Sequence, residues 1–291
     1  MTWRRSSVIR RRPSAEYCGS EREGMELFLF SVSFCAAAVG SICGIGGGVI
    51  IKPVLDAAQA ADVVLASFLS GCTVLSMSAY SVGKSLAAGD SRVDFRTGTP
   101  LGIGAAAGGL LGKGLFAFLG EAVGNAAFVG ACQSLCLAVI TVLTMLYTLC
   151  RAKIASRRLR SPASCAAVGM ALGIFSSFLG VGGGPVNLAA LYYFFSMSAR
   201  AAAQNSLYII LFSQLASLGA TVLGGRVPDF EARWVVLMVL GGIVGGMAGH
   251  RISARMDDRR TGRLFVGLLA VIAAISLYNF LILQAELRGA V

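Results

Sequence analysis

Two glycine runs, Gly44-Ile45-Gly46-Gly47-Gly48 and Gly180-Val181-Gly182-Gly183-Gly184, stand 136 positions apart, each at the end of a hydrophobic segment. A helix interior loses about 1 kcal/mol of propensity for every glycine it contains, so a cluster of four in five residues breaks the segment. In lipid a broken segment leaves backbone amides bare unless protein surrounds them or they line a watery cavity. Amides freed in this way, with the positive end of the helix that follows, suit an oxyanion. Paired breaks in two halves of one chain point to a central binding site of the transporter type. Gly44, Gly46, Gly47, Gly48, Gly180, Gly182, Gly183 and Gly184 are therefore candidate substrate-binding positions. Close helix packing is the competing reading. It fits the spaced glycines Gly102, Gly104, Gly108, Gly109 and Gly112 better than it fits the two clusters.

Side chains near the runs extend the candidate set. Lys52 lies four residues past the first run. A lysine near the bilayer centre costs about 3 kcal/mol on insertion scales, so a deep Lys52 must face a carboxylate, a cavity or a bound anion. Alternatively it snorkels to the interface beside Asp56 and Asp62. Ser70 in the first half and Asn187, Gln204, Asn205 and Ser206 in the second supply uncharged donors, with Gln214 further along. Some of these polar groups can equally bond between helices, at about 0.6 kcal/mol each.

Several other chemistries are excluded. Gly83-Lys84-Ser85 resembles the end of a phosphate-binding loop, but the glycine required five residues earlier is Ser78. Gly44-x-Gly46 and Gly180-x-Gly182 lack the third glycine of a dinucleotide fingerprint, with Val49 and Pro185 in its place. No cofactor is expected. Of eight cysteines, Cys35, Cys43, Cys72, Cys132, Cys136 and Cys165 fall in apolar segments without a C-x-x-C pair and read as small packing residues. The single histidine, His250, rules out a His-rich metal site and leaves a hydrolytic nucleophile no evident base.

The elements that must position these residues are set by composition. Hydrophobic residues make up 56% of the chain and charged residues 13%, against about 25% charged in soluble domains. The chain is an integral membrane protein. Its net charge of +11 sits in clusters between long uncharged stretches, the pattern of membrane loops rather than of a nucleic-acid face.

The two halves match beyond the glycines. At an offset of 136, Leu55 meets Leu191, Ser70 meets Ser206, Ser81 meets Ser217, Gly83 meets Gly219 and Gly89 meets Gly225; at 137, Gly104, Gly108, Gly109 and Gly112 meet Gly241, Gly245, Gly246 and Gly249. Spans are expected at Leu27–Cys43, Val63–Gly83, Thr97–Leu119, Ala126–Leu149, Pro162–Leu179, Ala201–Gly225, Trp234–Gly249 and Leu264–Ala285. Val49–Leu55, with Lys52 and Pro53, reads as a half-helix or interfacial return. The expected fold is thus an all-α membrane protein of about eight transmembrane helices, built as two homologous four-helix repeats, each with a glycine-rich break. Residues 1–24 form a basic, disordered extension, 25–150 the first repeat, 151–161 a basic cytoplasmic linker and 162–291 the second repeat. Loop charges favour the N-terminus inside, which places 151–160 inside with Lys84, Arg92 and Arg96 but leaves Arg251, Arg255, Arg259, Arg260 and Arg263 outside. Re-entrant glycine hairpins would instead invert the halves and put 151–160 outside.

The glycine runs with Pro53, Leu55 and Pro185, the turn Gly225–Phe230, the glycine-spaced segment to Gly249, and Arg251-Ile-Ser-Ala-Arg255 running on to Phe265-Val-Gly-Leu-Leu269 resemble the sulfite exporter TauE/SafE family, also described as toluene sulfonate uptake permeases. The resemblance covers about residues 25–285. It implies a duplicated four-span permease that moves sulfite or organosulfonate-type anions across the cytoplasmic membrane of a bacterium by alternating access, coupled to protons or sodium and able to form homo-oligomers. Departures bear on the particular anion: Ala189 stands opposite Pro53, Asn205-Ser206 replaces the usual Thr-Ser, and Lys52 is an added charge. The alternatives are transport of a cation or neutral solute, which would want Asp56 or Asp62 at the glycines, and a membrane scaffold, which would tolerate substitution of the runs.

Overall fold

A computed structural model describes residues 19–58, 60–89, 92–123, 126–150, 159, 161–179 and 183–289. Among them the chain is entirely helical: α1 (Gly19–Cys43), α2 (Gly48–Ala57), α3 (Val63–Ala87), α4 (Phe95–Val123), α5 (Ala126–Cys150), α6 (Pro162–Leu179), α7 (Gly184–Phe195), α8 (Ala199–Leu223), α9 (Ala232–Ala254) and α10 (Asp258–Gly289). Seven of these, α1, α3, α5, α6, α8, α9 and α10, are long and apolar enough to cross a membrane. The eighth expected span, 97–119, falls within α4. That helix has the length but is not among the seven.

Helix boundaries follow local chemistry. Asp94 caps α4, its carboxylate accepting from Arg96 N at 3.1 Å and from Thr97 Oγ1 at 3.0 Å. Ser198 accepts from Ala201 N at the start of α8, and Gly225, with φ +61°, turns the chain out of it. The stretch expected as a half-helix is α2, ten residues long, with its matching short helix α7 entered through Pro185.

The spaced glycines do pack helices. A side chain at Gly104, Gly108 or Gly112 would run into the backbone of α6 at Ala166, Met170 and Ile174, and one at Gly169 or Gly173 into α4. On the opposite flank Gly241, Gly245 and Gly249 of α9 meet α1 at Phe30, Phe34 and Ala38 in the same four-residue rhythm. Both pairs advance together along their sequences, so α4 runs parallel to α6 and α1 parallel to α9. Without the hydrophobic effect to drive association in lipid, such backbone proximity is a principal source of helix–helix affinity.

Other contacts fix the remaining directions. Ser41 Oγ lies 3.1 Å from Ser81 Oγ, and Ala37 clusters with Met77, so α1 and α3 run in the same direction and α2 carries the chain back between them. Gly71 faces Gln214 and Leu218, while Val82 clusters with Leu207, so α3 and α8 are antiparallel. These two helices correspond at the 136 offset. Antiparallel packing overturns the even-crossing arrangement with parallel halves that the loop charges favoured. It also gathers charge. The ends of α3, α6's start, α8's start and the α9–α10 turn share one face, tied by Arg92 N to Gln204 Oε1 (2.6 Å) and Arg200 N to Asp258 Oδ1 (3.0 Å). Lys84, Arg92, Arg96, Arg200, Arg251, Arg255, Arg259, Arg260 and Arg263 belong to this face; the linker expected at 151–161 lies mostly outside the described residues. The other face holds the start of α1, with Arg22 paired to Glu231 at 3.2 Å.

Candidate functional site

The two glycine breaks meet in the middle of the bundle. Gly184, the first residue of α7, lies directly against the backbone carbonyl of Ile45, so closely that any side chain there would collide with it. Gly44 and Gly46 adopt φ +76° and +68°, and Gly183 φ +74°, the left-handed region that favours glycine. Each break is also walled in: Gly44 abuts Ala203, Gly46 lies between Val74 and Ile210, Gly47 faces Ala36, and Gly183 faces Ser176 and Asn187. Gly180 and Gly182 lie outside the described residues.

Beside this junction is a cavity of about 430 Å³. Its inner end is Gly48, Gln133 and Ser176; its outer end reaches Arg226 and Pro228 past the end of α8. Gly48 begins α2, so the positive end of that half-helix faces the cavity floor. Lys113 of α4 lies in the wall, its ammonium donating to Ser217 O at 2.7 Å and Thr221 Oγ1 at 2.6 Å. Two of its three donors are thereby used. Ser67, Ser70, Ser177, Ser213 and Gln214 add hydroxyl and amide groups, while Val64, Phe68, Val74, Leu110 and Leu218 form an apolar side. Among the described residues, no carboxylate lines it.

Lys52 lies behind this cavity. It is buried, at 5% exposure, which excludes the snorkelling alternative. Its Nζ donates to Gln133 Oε1 at 3.3 Å and lies 3.9 Å from Asp56 Oδ2, one turn on. Gln133 Nε2 donates to Phe178 O at 2.6 Å. Gln133 is thus the shared wall between the large cavity and a pocket of about 10 Å³ around Lys52, Asp56, Ser276 and Asn279, room for about one water molecule. Asp56 Oδ1 and Ser276 Oγ are buried there with no partner, and Asn279 Nδ2 donates to Pro53 O, whose place in α2 frees backbone groups from the helical ladder.

The remaining candidates are elsewhere. Gln204 and Asn205 lie at the far end of α8 and fasten the segment before α4: Gln204 accepts from Arg92 N, and Asn205 accepts from Asp94 N at 3.0 Å while donating to Arg92 O at 3.0 Å. Ser206 is fully buried, with no partner for its hydroxyl. Asn187 supports Gly183. Of the side chains proposed from sequence, then, Ser70 and Gln214 line the large cavity, and Lys52 touches it through Gln133. Lys113 and Gln133 were missed. Both carried the signal that marked Lys52, a long polar group inside an apolar segment, but neither stands next to a glycine cluster in the sequence.

The profile of the sulfite exporter TauE/SafE family matches residues 29–276, which include every lining residue of the large cavity and the Lys52–Asp56 pair. The chain belongs to that family. No curated protein and no solved structure matches it. As a TauE/SafE protein it is a multi-pass membrane transporter of a family associated with sulfur-containing anions. Within the TauE/SafE match lie both glycine breaks, the lysine-lined cavity and the buried Lys52–Asp56 pair, all held by helices whose glycines let them approach closely.

Proposed function

We propose that this TauE/SafE protein is a secondary transporter that carries an organosulfonate or related sulfur oxyanion across the cytoplasmic membrane of a bacterium. The observation that carries the reading is the cavity lining: Lys113 and Arg226 with a set of hydroxyls and amides, an apolar side, and no carboxylate among the described residues. A cation would want an acid in that wall; the buried acid, Asp56, lies behind Gln133. A volume of about 430 Å³ is ample for an anion with an organic body, and the apolar side gives that body a partner.

In this reading eight long helices cross the membrane as two homologous halves of opposite orientation, and α2 and α7 are the returning half-helices. Antiparallel α3 and α8 support it, as does the pairing of α1 with α9 and of α6 with α4, which exchange partners between halves at the sequence offset. The clustered lysines and arginines then assign the face of Arg200 and Arg251 to the cytoplasm and the start of α1 to the outside. The cavity therefore opens outward. The Lys52–Asp56 pair, one amide away from the cavity, is the group through which ion movement couples to the anion.

Proteoliposomes supply the test. Uptake of sulfoacetate, sulfite, thiosulfate and chloride is compared with and without a pH gradient. Saturable, gradient-dependent uptake of a sulfur anion, lost in Lys113→Met protein that still elutes as a folded species, is the expected result. Chloride handled as well as any sulfur anion, or full activity in Lys113→Met, would overturn it.

A further inference from the structure

A second, much smaller pocket of about 30 Å³ lies toward the opposite face, between the end of α3, the start of α8 and the end of α9. Its lining is Ser41, Ser81, Val82, Ser85, Val93, Arg200, Ala203, Gln204, Leu207, His250, Ser253 and Ala254. Nine of these twelve coincide, at the offsets of 136 or 137 that relate the two halves, with residues lining the large cavity. Ser41 answers to Ser177, Ser81 to Ser217, Ser85 to Thr221, and His250 to Lys113. A correspondence of this kind, residue by residue and at opposite ends of antiparallel helices, is what one site seen from its two sides would give.

The difference between the two is in what holds them. Where the large cavity has Val64, the small pocket has Arg200. Arg200 Nη2 donates to Ser253 O at 3.1 Å and Ala254 O at 3.0 Å, fastening the start of α8 to the carbonyl end of α9. Ser41 Oγ and Ser81 Oγ, 3.1 Å apart, join α1 to α3 across the same space. Gln204 and Asn205 hold the 92–94 segment over it.

We propose that this pocket is the constricted counterpart of the outward cavity: an oxyanion-binding vestibule on the cytoplasmic side, with Arg200 and His250 as its basic groups, that widens when the Arg200 clamp on α9 lets go. The proposal rests on the transport reading for the identity of the anion, but not for the movement. Opening the clamp frees the guanidinium for the anion as the space widens, and closing it returns Arg200 to the α9 carbonyls. Each side of the protein then has its own cation for the passing anion, Lys113 outside and Arg200 inside.

The test uses the full chain with its native cysteines replaced by serine or alanine, reconstituted so that each face can be reached separately. Ser85→Cys reports on the pocket and Thr221→Cys on the cavity; Ser41→Cys and Ser177→Cys repeat the pair at another depth. A membrane-impermeant thiol reagent is added to one face at a time, with and without sulfoacetate as the probe anion, and in an Arg200→Ala background. Labelling of Ser85→Cys from the Arg200 face should rise several-fold in Arg200→Ala, with Thr221→Cys labelling falling in step. If both pocket reporters stay unlabelled from that face in every condition, including Arg200→Ala, the pocket is not a vestibule and the proposal fails. Reciprocal labelling without any sulfoacetate uptake would uphold the paired vestibules while removing the anion assignment.

Discussion

The two half-helices α2 and α7 occupy corresponding places in the chain, follow the same glycine run and are built from opposite materials. On α2, Lys52 and Asp56 face Gln133 of α5 and the Ser276–Asn279 turn of α10. At the matching positions α7 has Leu188 and Tyr192, and the residues that correspond to Gln133, Ser276 and Asn279 are Ala270, Val139 and Val142. Leu188 and Tyr192 are buried in the main apolar cluster with Leu191 and Phe265. The fold thus closes over one half-helix without a charged pair. Charge at the other is not something the architecture needs, and a buried ion pair is a poor source of stability. Function is the remaining reason to keep it.

The sharpest way to break this comparison is to remove one partner. Lys52→Leu copies α7 at a single position and strands Asp56 in the interior, which should lower stability by about 3 kcal/mol. A detergent-solubilised sample followed by thermal unfolding would show it as the largest drop of the set. Removing both charges, as Lys52→Leu with Asp56→Asn, should restore most of that stability while uncoupling anion uptake from the pH gradient. If the double variant remains gradient-driven, the pair is structural and the two half-helices differ without functional meaning.

The cavity wall comes next. Loss of the Lys113 ammonium in Lys113→Met removes its one remaining donor, a charge-assisted hydrogen bond worth about 2 kcal/mol to an anion, and sulfonate affinity measured by calorimetry should fall accordingly while Lys113→Arg retains part of it. Gly108→Ala and Gly245→Ala set the two flanks against each other: each methyl meets a backbone carbonyl of the parallel neighbour, and each should cost about 1–3 kcal/mol of stability in unfolding experiments. Unequal losses would show that one helix pair is clamped harder than the other. The smallest effect belongs to Gly83→Ala and Gly219→Ala. Both positions have open space around them, so both substitutions should leave transport unchanged and stabilise by at most about 1 kcal/mol.

Much of this protein is legible in order along the chain. Low charge and long apolar stretches dictate spanning helices because lipid offers the backbone no other partner, and the glycine clusters mark breaks because clustered glycine cannot sustain a helix. The spaced glycines announced backbone packing through their four-residue rhythm, and the paired breaks announced a central junction, which Gly184 against Ile45 provides. Direction, depth and partnership were decided only by the tertiary structure. Loop charges gave an ambiguous orientation because the 151–160 and 251–263 clusters are far apart in sequence, and only antiparallel α3 and α8 put their helix ends on one face. Gln204 and Asn205 follow the second glycine run by some twenty residues yet sit at the far end of α8, since a half-helix and a turn carry the chain away before α8 begins. Lys113 and Gln133 come from α4 and α5, remote from either glycine run in sequence, and enter the site through helix pairing. A charge or hydroxyl becomes part of a cavity by the rotation and depth of the helix that carries it, and those are set by which backbone it packs against.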